Sequence, residues 1–141
     1  MSHASLPVLG ETLPQLSVAV TARMVIGAAF AARDLAPQHH DHRHALAAGL
    51  PDVIMNTPTL QGLLSRYATD TLGPSARVRR LRCRMKAPVC PGDALIIRGT
   101  VSARIDTVAG TALTLAISFQ RDDRTVTEGE VEAFLPAGDA K

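Results

Sequence analysis

Apolar residues fall at helical spacing in one stretch of the chain and at alternate positions in most of the residues beyond it. The helical stretch is Val53 to Gly73, VIMNTPTLQGLLSRYATDTLG. It opens with the apolar run Val53-Ile54-Met55. It then offers Asn56 and Thr57 as N-caps and Pro58 at a first helical position. Leu60, Leu63, Leu64, Tyr67 and Thr71 make one largely apolar stripe, so this helix buries one side. Gly73 and Pro74 end it. Beyond it the period changes to two. Leu81, Cys83 and Met85 alternate with Arg82, Arg84 and Lys86, which predicts a strand over 78–86. Further strands are predicted over 94–105, 112–121 and 125–135. Their connections are Pro91-Gly92-Asp93, Val108-Ala109-Gly110 and Asp122-Asp123. One helix followed by a long antiparallel sheet predicts an α+β fold with the sheet wrapped around the helix.

The region before the helix is less regular. Residues 1–15, with Pro7, Gly10 and Pro14, read as an extended lead-in, and 16–20 as a short strand. Thr21 can cap a helix over 22–33. Ala favours that assignment, although Val25, Ile26 and Phe30 would also suit a strand. Residues 34–44, DLAPQHHDHRH, are a polar break. Pro37 forces Ala36 out of helical angles, which predicts a bend. A short helix over 43–48 closes at Gly49 and Pro51, and the tail 136–141 reads as loose.

Composition narrows the picture. A chain of 141 residues, 46% hydrophobic, suits a single domain over 1–141 with a real core. A formal net charge of +2 is too small to imply nucleic acid. No apolar run reaches the roughly 20 residues that span a bilayer. The first residues, MSHASLPVLGETLPQL, lack a basic start followed by an apolar core and make a poor signal peptide. The two cysteines, Cys83 and Cys90, are too far apart for a CxxC motif. They suit free thiols in a reducing cytoplasm.

The polar break carries the candidate chemistry. Asp34, His39, His40, Asp41, His42 and His44 crowd into eleven positions. They suit a solvated loop, a metal site, or an acid–base pair. A metal site needs ligands converging from separate elements, and no HExxH or CxxC supports it. An acid–base pair needs a carboxylate and an imidazole held apart at a fixed distance. Asp34 and His39 flank Pro37, which would rigidify the bend holding them apart. Elsewhere, Tyr67 lies on the apolar stripe and reads as core, as does Cys83 on its strand. Asp93 reads as a structural turn residue, and His40, His42 and His44 as surface residues.

Asp34-Leu35-Ala36-Pro37-Gln38-His39 resembles the D-x-x-P-x-H core of the MaoC-like (R)-specific enoyl-CoA hydratases. The likeness continues through HHD, the helix VIMNTPTLQGLLSRYATDTLGP and the strand and turn RVRRLRCRMKAPVCPGDAL, so it covers about residues 30 to 100. RDLAPQHHD and GLLSRYATD are similar to the small MaoC-like subunits of steroid side-chain degradation. The resemblance implies a hot-dog fold, acyl-CoA thioester substrates, and Asp34 and His39 as the catalytic pair adding water to a trans-2-enoyl-CoA. It implies no metal or redox cofactor, with CoA arriving as part of the substrate. It also implies a dimer, with itself or with a second MaoC-like chain. The thioester oxygen would be held by backbone N–H groups at the head of the central helix, where the dipole favours an enolate.

Asn56, Thr57 and Thr59 are therefore candidate substrate-binding residues. Asn56 can touch substrate, orient the pair or cap the helix. The basic ladder Arg77, Arg79, Arg80, Arg82, Arg84 and Lys86 can meet CoA phosphates, Arg82 and Arg84 foremost, or can form a solvated sheet face. Two positions depart from the family pattern. Ala36 stands where Asn is frequent, and Asn56-Thr57 stands where His-Gly is usual. Pro58 comes next and removes one N–H from the expected oxyanion site. Other readings are a hot-dog thioesterase and a catalytically silent partner subunit that only shapes a tunnel.

Overall fold

The computed structural model describes residues 6–138. Strand β1 is Leu16–Ala19, helix α1 Ala22–Ala31 and helix α2 His42–Ala47, with a 3-10 turn at Pro37–His39 between the helices. Helix α3 is Thr57–Leu72. Strands β2 (Arg77–Met85), β3 (Ala94–Thr107), β4 (Gly110–Arg121) and β5 (Arg124–Pro136) come after it. The strands form one antiparallel sheet in the order β1-β3-β4-β5-β2. Helix α3 packs across its inner face, chiefly on β2 and β5. This is the hot-dog arrangement.

Alternation fixes which side of each strand meets the helix. Leu95, Ile97 and Val101 of β3 and Leu113, Leu115, Ile117 and Phe119 of β4 point inward and are buried, as are Val131 and Leu135 of β5. They meet Leu60, Leu63, Leu64, Tyr67 and Ala68, the buried stripe of α3. Two inward strand positions are glycines in the same cross-strand row, Gly99 and Gly129. A Cβ on Gly99 would stand 2.7 Å from Tyr67 Cε1, and one on Gly129 would stand 2.4 Å from Leu64 Cδ2. The helix thus lies directly on strand backbone at these points.

The ends of the sheet are treated differently. Residues 10–13 run extended along β3, through Gly10 N–H to Val101, Val101 N–H to Glu11, and Leu13 N–H to Gly99. The Tyr67 hydroxyl donates to the Pro14 carbonyl at 2.8 Å and ties this strap to α3. The expected lead-in is therefore a fixed strap from Gly10 on; residues 1–5 lie outside the described residues. Strand β2 has no neighbour on its outer edge among the described residues.

The expected elements are present with shifted ends. The β3–β4 connection is Val108-Ala109, since Thr107 already faces Gly110. The β4–β5 connection is Asp122-Asp123, with φ of 48° and 61°, as a two-residue primed hairpin turn requires. The tail expected to be loose is ordered at its start. Pro136 belongs to β5 and the Ala137 N–H donates to Ala109, while 139–141 lie outside the described residues. Cys83 and Cys90 are both free, and burial pushes both thiols up from their ordinary pKa. Among the described residues, no helix is long and apolar enough to cross a membrane.

The close approach predicts a measurable coupling. Gly129→Ala should destabilise the fold by about 1–3 kcal/mol through overpacking. Leu64→Ala should cost about 2–5 kcal/mol through the cavity it leaves. In denaturant melts the double variant should lose less than the sum, because the added methyl occupies space vacated by Leu64.

Candidate active site

The site forms where α1 ends and α3 begins. Arg33, in the left-handed region at φ 54°, ends α1 and turns the chain so that the Asp34 N–H returns to the Ala29 carbonyl. Ala36 is extended, as a residue before proline should be, and Pro37 opens the 3-10 turn that carries His39. Asp34 and His39 are thereby brought together. His39 Nε2 stands 3.4 Å from Asp34 Oδ2. The imidazole side chain is 9% exposed and the carboxylate side chain 29%, so the pair has a buried and an open member.

The second ring nitrogen fixes the imidazole. His39 Nδ1 donates to the Ile54 carbonyl at 2.8 Å. A carbonyl only accepts, so Nδ1 carries a proton and Nε2 is the nitrogen that exchanges one. The Ile54 N–H in turn donates to the Gln38 carbonyl at 3.0 Å. The 3-10 turn and the strand-like segment before α3 thus hold each other on both sides of the ring.

Asn56 fixes the carboxylate. Its Nδ2 donates to Asp34 Oδ2 at 3.1 Å. Its Oδ1 accepts the Thr59 N–H at 3.2 Å and a short bond from the Thr59 hydroxyl. Asn56 is fully buried and both caps α3 and orients the acid, so two of its sequence readings hold together. The Ala36 N–H approaches Asp34 Oδ1 at 3.4 Å. The Asn56 amide is the main cause that holds the Asp34 carboxyl below its ordinary pKa. Partial burial opposes it, and the Ala36 N–H and the His39 ring lower it further.

The other sequence candidates are dispersed. The Thr59 N–H, expected to face substrate, is already taken by the Asn56 cap; at a helix N-terminus a capping oxygen claims such a donor first. Thr57 is exposed, and its N–H has no acceptor among the described residues. Arg82 and Arg84 project from β2 to the outer face of the sheet, away from α3, and are not brought to the pair. Arg82 meets Glu130 at 3.5 Å, and Arg80 meets Glu132 at 3.7 Å. Lys86 pairs with Glu128. Arg84 has no ion-pair partner among the described residues. His40 donates to the Leu35 carbonyl, and His42 bonds Asp52 at 2.8 Å. Among the described residues no three His, Cys, Asp or Glu side chains converge as a metal cluster. The supporting groups that sequence reasoning missed are the Ile54 carbonyl, which any residue there would supply, and the turn at Val89, whose carbonyl holds the Met55 N–H. An open groove of ≈ 460 Å³ lies between α1 and α3, lined by Ala28, Ala32, Pro58, Thr59, Gly62 and Leu63 among others.

No family model matches the sequence. The chain is 35% identical over 96 residues to the beta subunit of 3-oxo-4,17-pregnadiene-20-carboxyl-CoA hydratase from Mycobacterium tuberculosis. That match covers 68% of this chain and 74% of the subunit. Among solved structures it superimposes on a chain of the ChsH1-ChsH2 complex from M. tuberculosis with a TM-score of 0.84 and 29% identity. The superposition covers 91% of this chain and 98% of that one. The (R)-hydratase from A. caviae involved in PHA biosynthesis gives a TM-score of 0.82 at 24% identity, covering 94% and 99%, and shares the fold.

Asn56→Ser separates the two duties of that residue. Serine keeps the helix cap but cannot reach Asp34. The Asp34 carboxyl should then titrate at higher pH in a carbon-13 carboxyl titration, because the donor that favours its charged form is gone. In the native chain Asp34 stabilises the fold above its unfolded pKa, and that contribution is lost as pH falls through the lowered folded value.

Proposed function

Because the chain belongs to the MaoC-like (R)-hydratase family, we propose that it hydrates a trans-2-enoyl-CoA thioester with Asp34 as base and His39 as proton donor. The observation that carries this reading is the Asp34–His39 approach with Nδ1 tied to a carbonyl. A water bound between Oδ2 and Nε2 loses a proton to the Asp34 carboxylate while its oxygen bonds the β-carbon. The enolate forms at the thioester, the proton on Asp34 passes to Nε2, and Nε2–H delivers it to the α-carbon. The pair is thereby restored with Nδ1 still protonated, and the net change is the addition of H and OH. The Thr57 N–H, at the positive end of the α3 dipole, is the donor for the developing oxyanion. Pro58 has no N–H and the one on Thr59 is spent on the cap, so this site leans on one backbone donor.

The substrate is a bulky acyl-CoA, a steroid-type acyl group in keeping with the M. tuberculosis relative. Leu60, Leu64 and Tyr67 on the inner face of α3, with Met55 just before it, are at most 1% exposed and fill the space beneath the helix. A large acyl group is then housed between this chain and another one. The working unit is a heteromer with a second MaoC-like chain, a reading supported by the likeness to a chain of a two-component complex, with a homodimer as the other outcome. Of the two ladder arginines, Arg84 is the unpaired one and the first choice for CoA phosphates, with Arg82 second. No metal or redox group takes part. The two free thiols accord with the cytoplasm as its compartment.

Asp34→Asn and His39→Ala should each lower turnover at least about 10²-fold with the fold kept. The measurement is the fall in enoyl-thioester absorbance on hydration of a steroid enoyl-CoA, with the chain assayed alone and with whatever co-purifies from its host. Release of free thiol instead would identify a thioesterase. Full turnover in both variants would make this chain the silent member of its complex. Arg84→Ala should raise KM for the CoA ester while kcat is kept.

A further inference from the structure

The groups that hold the reacting pair share one segment of backbone. The Ile54 carbonyl holds His39, and the Asn56 amide holds Asp34. Met55 lies between them, fully buried, and its N–H donates to the Val89 carbonyl at 2.7 Å. Val89, also fully buried, belongs to the turn that leads into β3. A shift of Val89 therefore moves Met55, and with it both supports.

That turn is held from inside by one ion pair. Arg121, the last residue of β4, donates from Nη1 to Asp93 Oδ2 at 2.7 Å and to the Pro88 carbonyl at 3.0 Å. The same Asp93 oxygen accepts the Cys90 N–H at 2.9 Å. The Asp93 carbonyl accepts the Val20 N–H, and the Gly92 N–H returns to the Val20 carbonyl, both at 2.8 Å. Pro88 and Cys90, the residues on either side of Val89, are thus both tied to this one pair. The side chains are 30% and 16% exposed, so water competes for the pair less than for the ladder on β2.

We propose that Arg121 and Asp93 are positioning residues for the Asp34–His39 site, acting through Val89 and Met55 on the segment Ile54–Asn56. The proposal rests on the reading that Asp34 and His39 are the reacting pair. The pathway is continuous: guanidinium to carboxylate, carboxylate to Cys90 N–H, Val89 carbonyl to Met55 N–H, then one residue in each direction to the imidazole and to the acid. Small displacements at such a place are costly, since misplacement of reacting groups by about 1 Å can lower rates about 10²-fold.

The test uses the full chain, with its partner where one co-purifies. Two variants are made: Arg121→Met, which keeps much of the volume, and Asp93→Asn, which keeps an acceptor for Cys90 and loses the charge. Two readouts do not depend on turnover. Long-range nitrogen-15 correlations report the His39 tautomer, and a carboxyl titration reports Asp34. In the native chain His39 should be a single Nδ1-protonated species. In the variants the ring should show mixed tautomers, and Asp34 should titrate closer to an ordinary carboxylate. The kcat for hydration should fall about tenfold or more with KM little changed. If Arg121→Met fails to fold, Asp93→Asn decides alone. An unchanged His39 tautomer and an unchanged Asp34 titration in a folded variant would overturn the proposal. A native chain that shows these resonance changes on mutation, yet hydrates nothing even with its partner, would overturn the enzymatic reading and leave the positioning intact.

Discussion

Where α3 crosses the sheet, the strand residues beneath it are Gly99 and Gly129, and any side chain there would collide with Tyr67 or Leu64. That contact of helix on bare backbone fixes how deep the helix sits. The depth in turn fixes where its first residues emerge, and the site is built on those residues. Asn56 caps the helix with one end of its amide and holds Asp34 with the other. The same side chain that starts the helix therefore also sets the electrostatics of the acid. A fold-level constraint and a chemical one meet in a single buried amide.

The pair is asymmetric in a way that suits proton traffic. Both groups touch protein on one side and each other on the second. The imidazole has a permanent acceptor for Nδ1–H, so its ring cannot rotate without losing a buried hydrogen bond. The carboxylate has donors on both oxygens, which favours its charged form. The groups that touch the pair directly are backbone groups and one amide. Ala36 contributes through its N–H. The loop keeps its shape through backbone bonds, chiefly the one the Ile54 N–H donates to the Gln38 carbonyl.

The strands and the central helix were legible because their periods are clean and their punctuation is strong. Asn56-Thr57-Pro58 and Gly73-Pro74 mark the helix ends, and Asp122-Asp123 marks a turn whose angles those residues accept. Spacing around a proline made the Asp34–His39 pair one of three readings of the polar break, and the resemblance to the D-x-x-P-x-H core selected it. The supports were not legible. Ile54 acts through its carbonyl, which leaves no trace in residue type. Arg121 and Asp93 are 28 positions apart (121 − 93) and meet only because β3 and β4 form a hairpin. In sequence the basic ladder on β2 can be an anion-binding or a solvated face, and only strand register places Glu128, Glu130 and Glu132 of β5 opposite it. Alternation shows which face a residue occupies, but not which strand lies beside it.

The strand order also bears on how the chain comes into being. Strand β2 comes directly after α3, yet in this sheet its neighbour is β5, which ends at Pro136. On a ribosome, β2 and the oily side of α3 are finished long before their mates exist. Closure of the sheet brings Arg77 beside Phe134, nearly sixty positions downstream (134 − 77 = 57). Such distant pairing is slow, and exposed apolar surface invites aggregation while it lasts. The β3–β4–β5 meander, joined by two-residue turns, is local and can assemble first, as a preformed tray onto which the helix and its edge strand settle late.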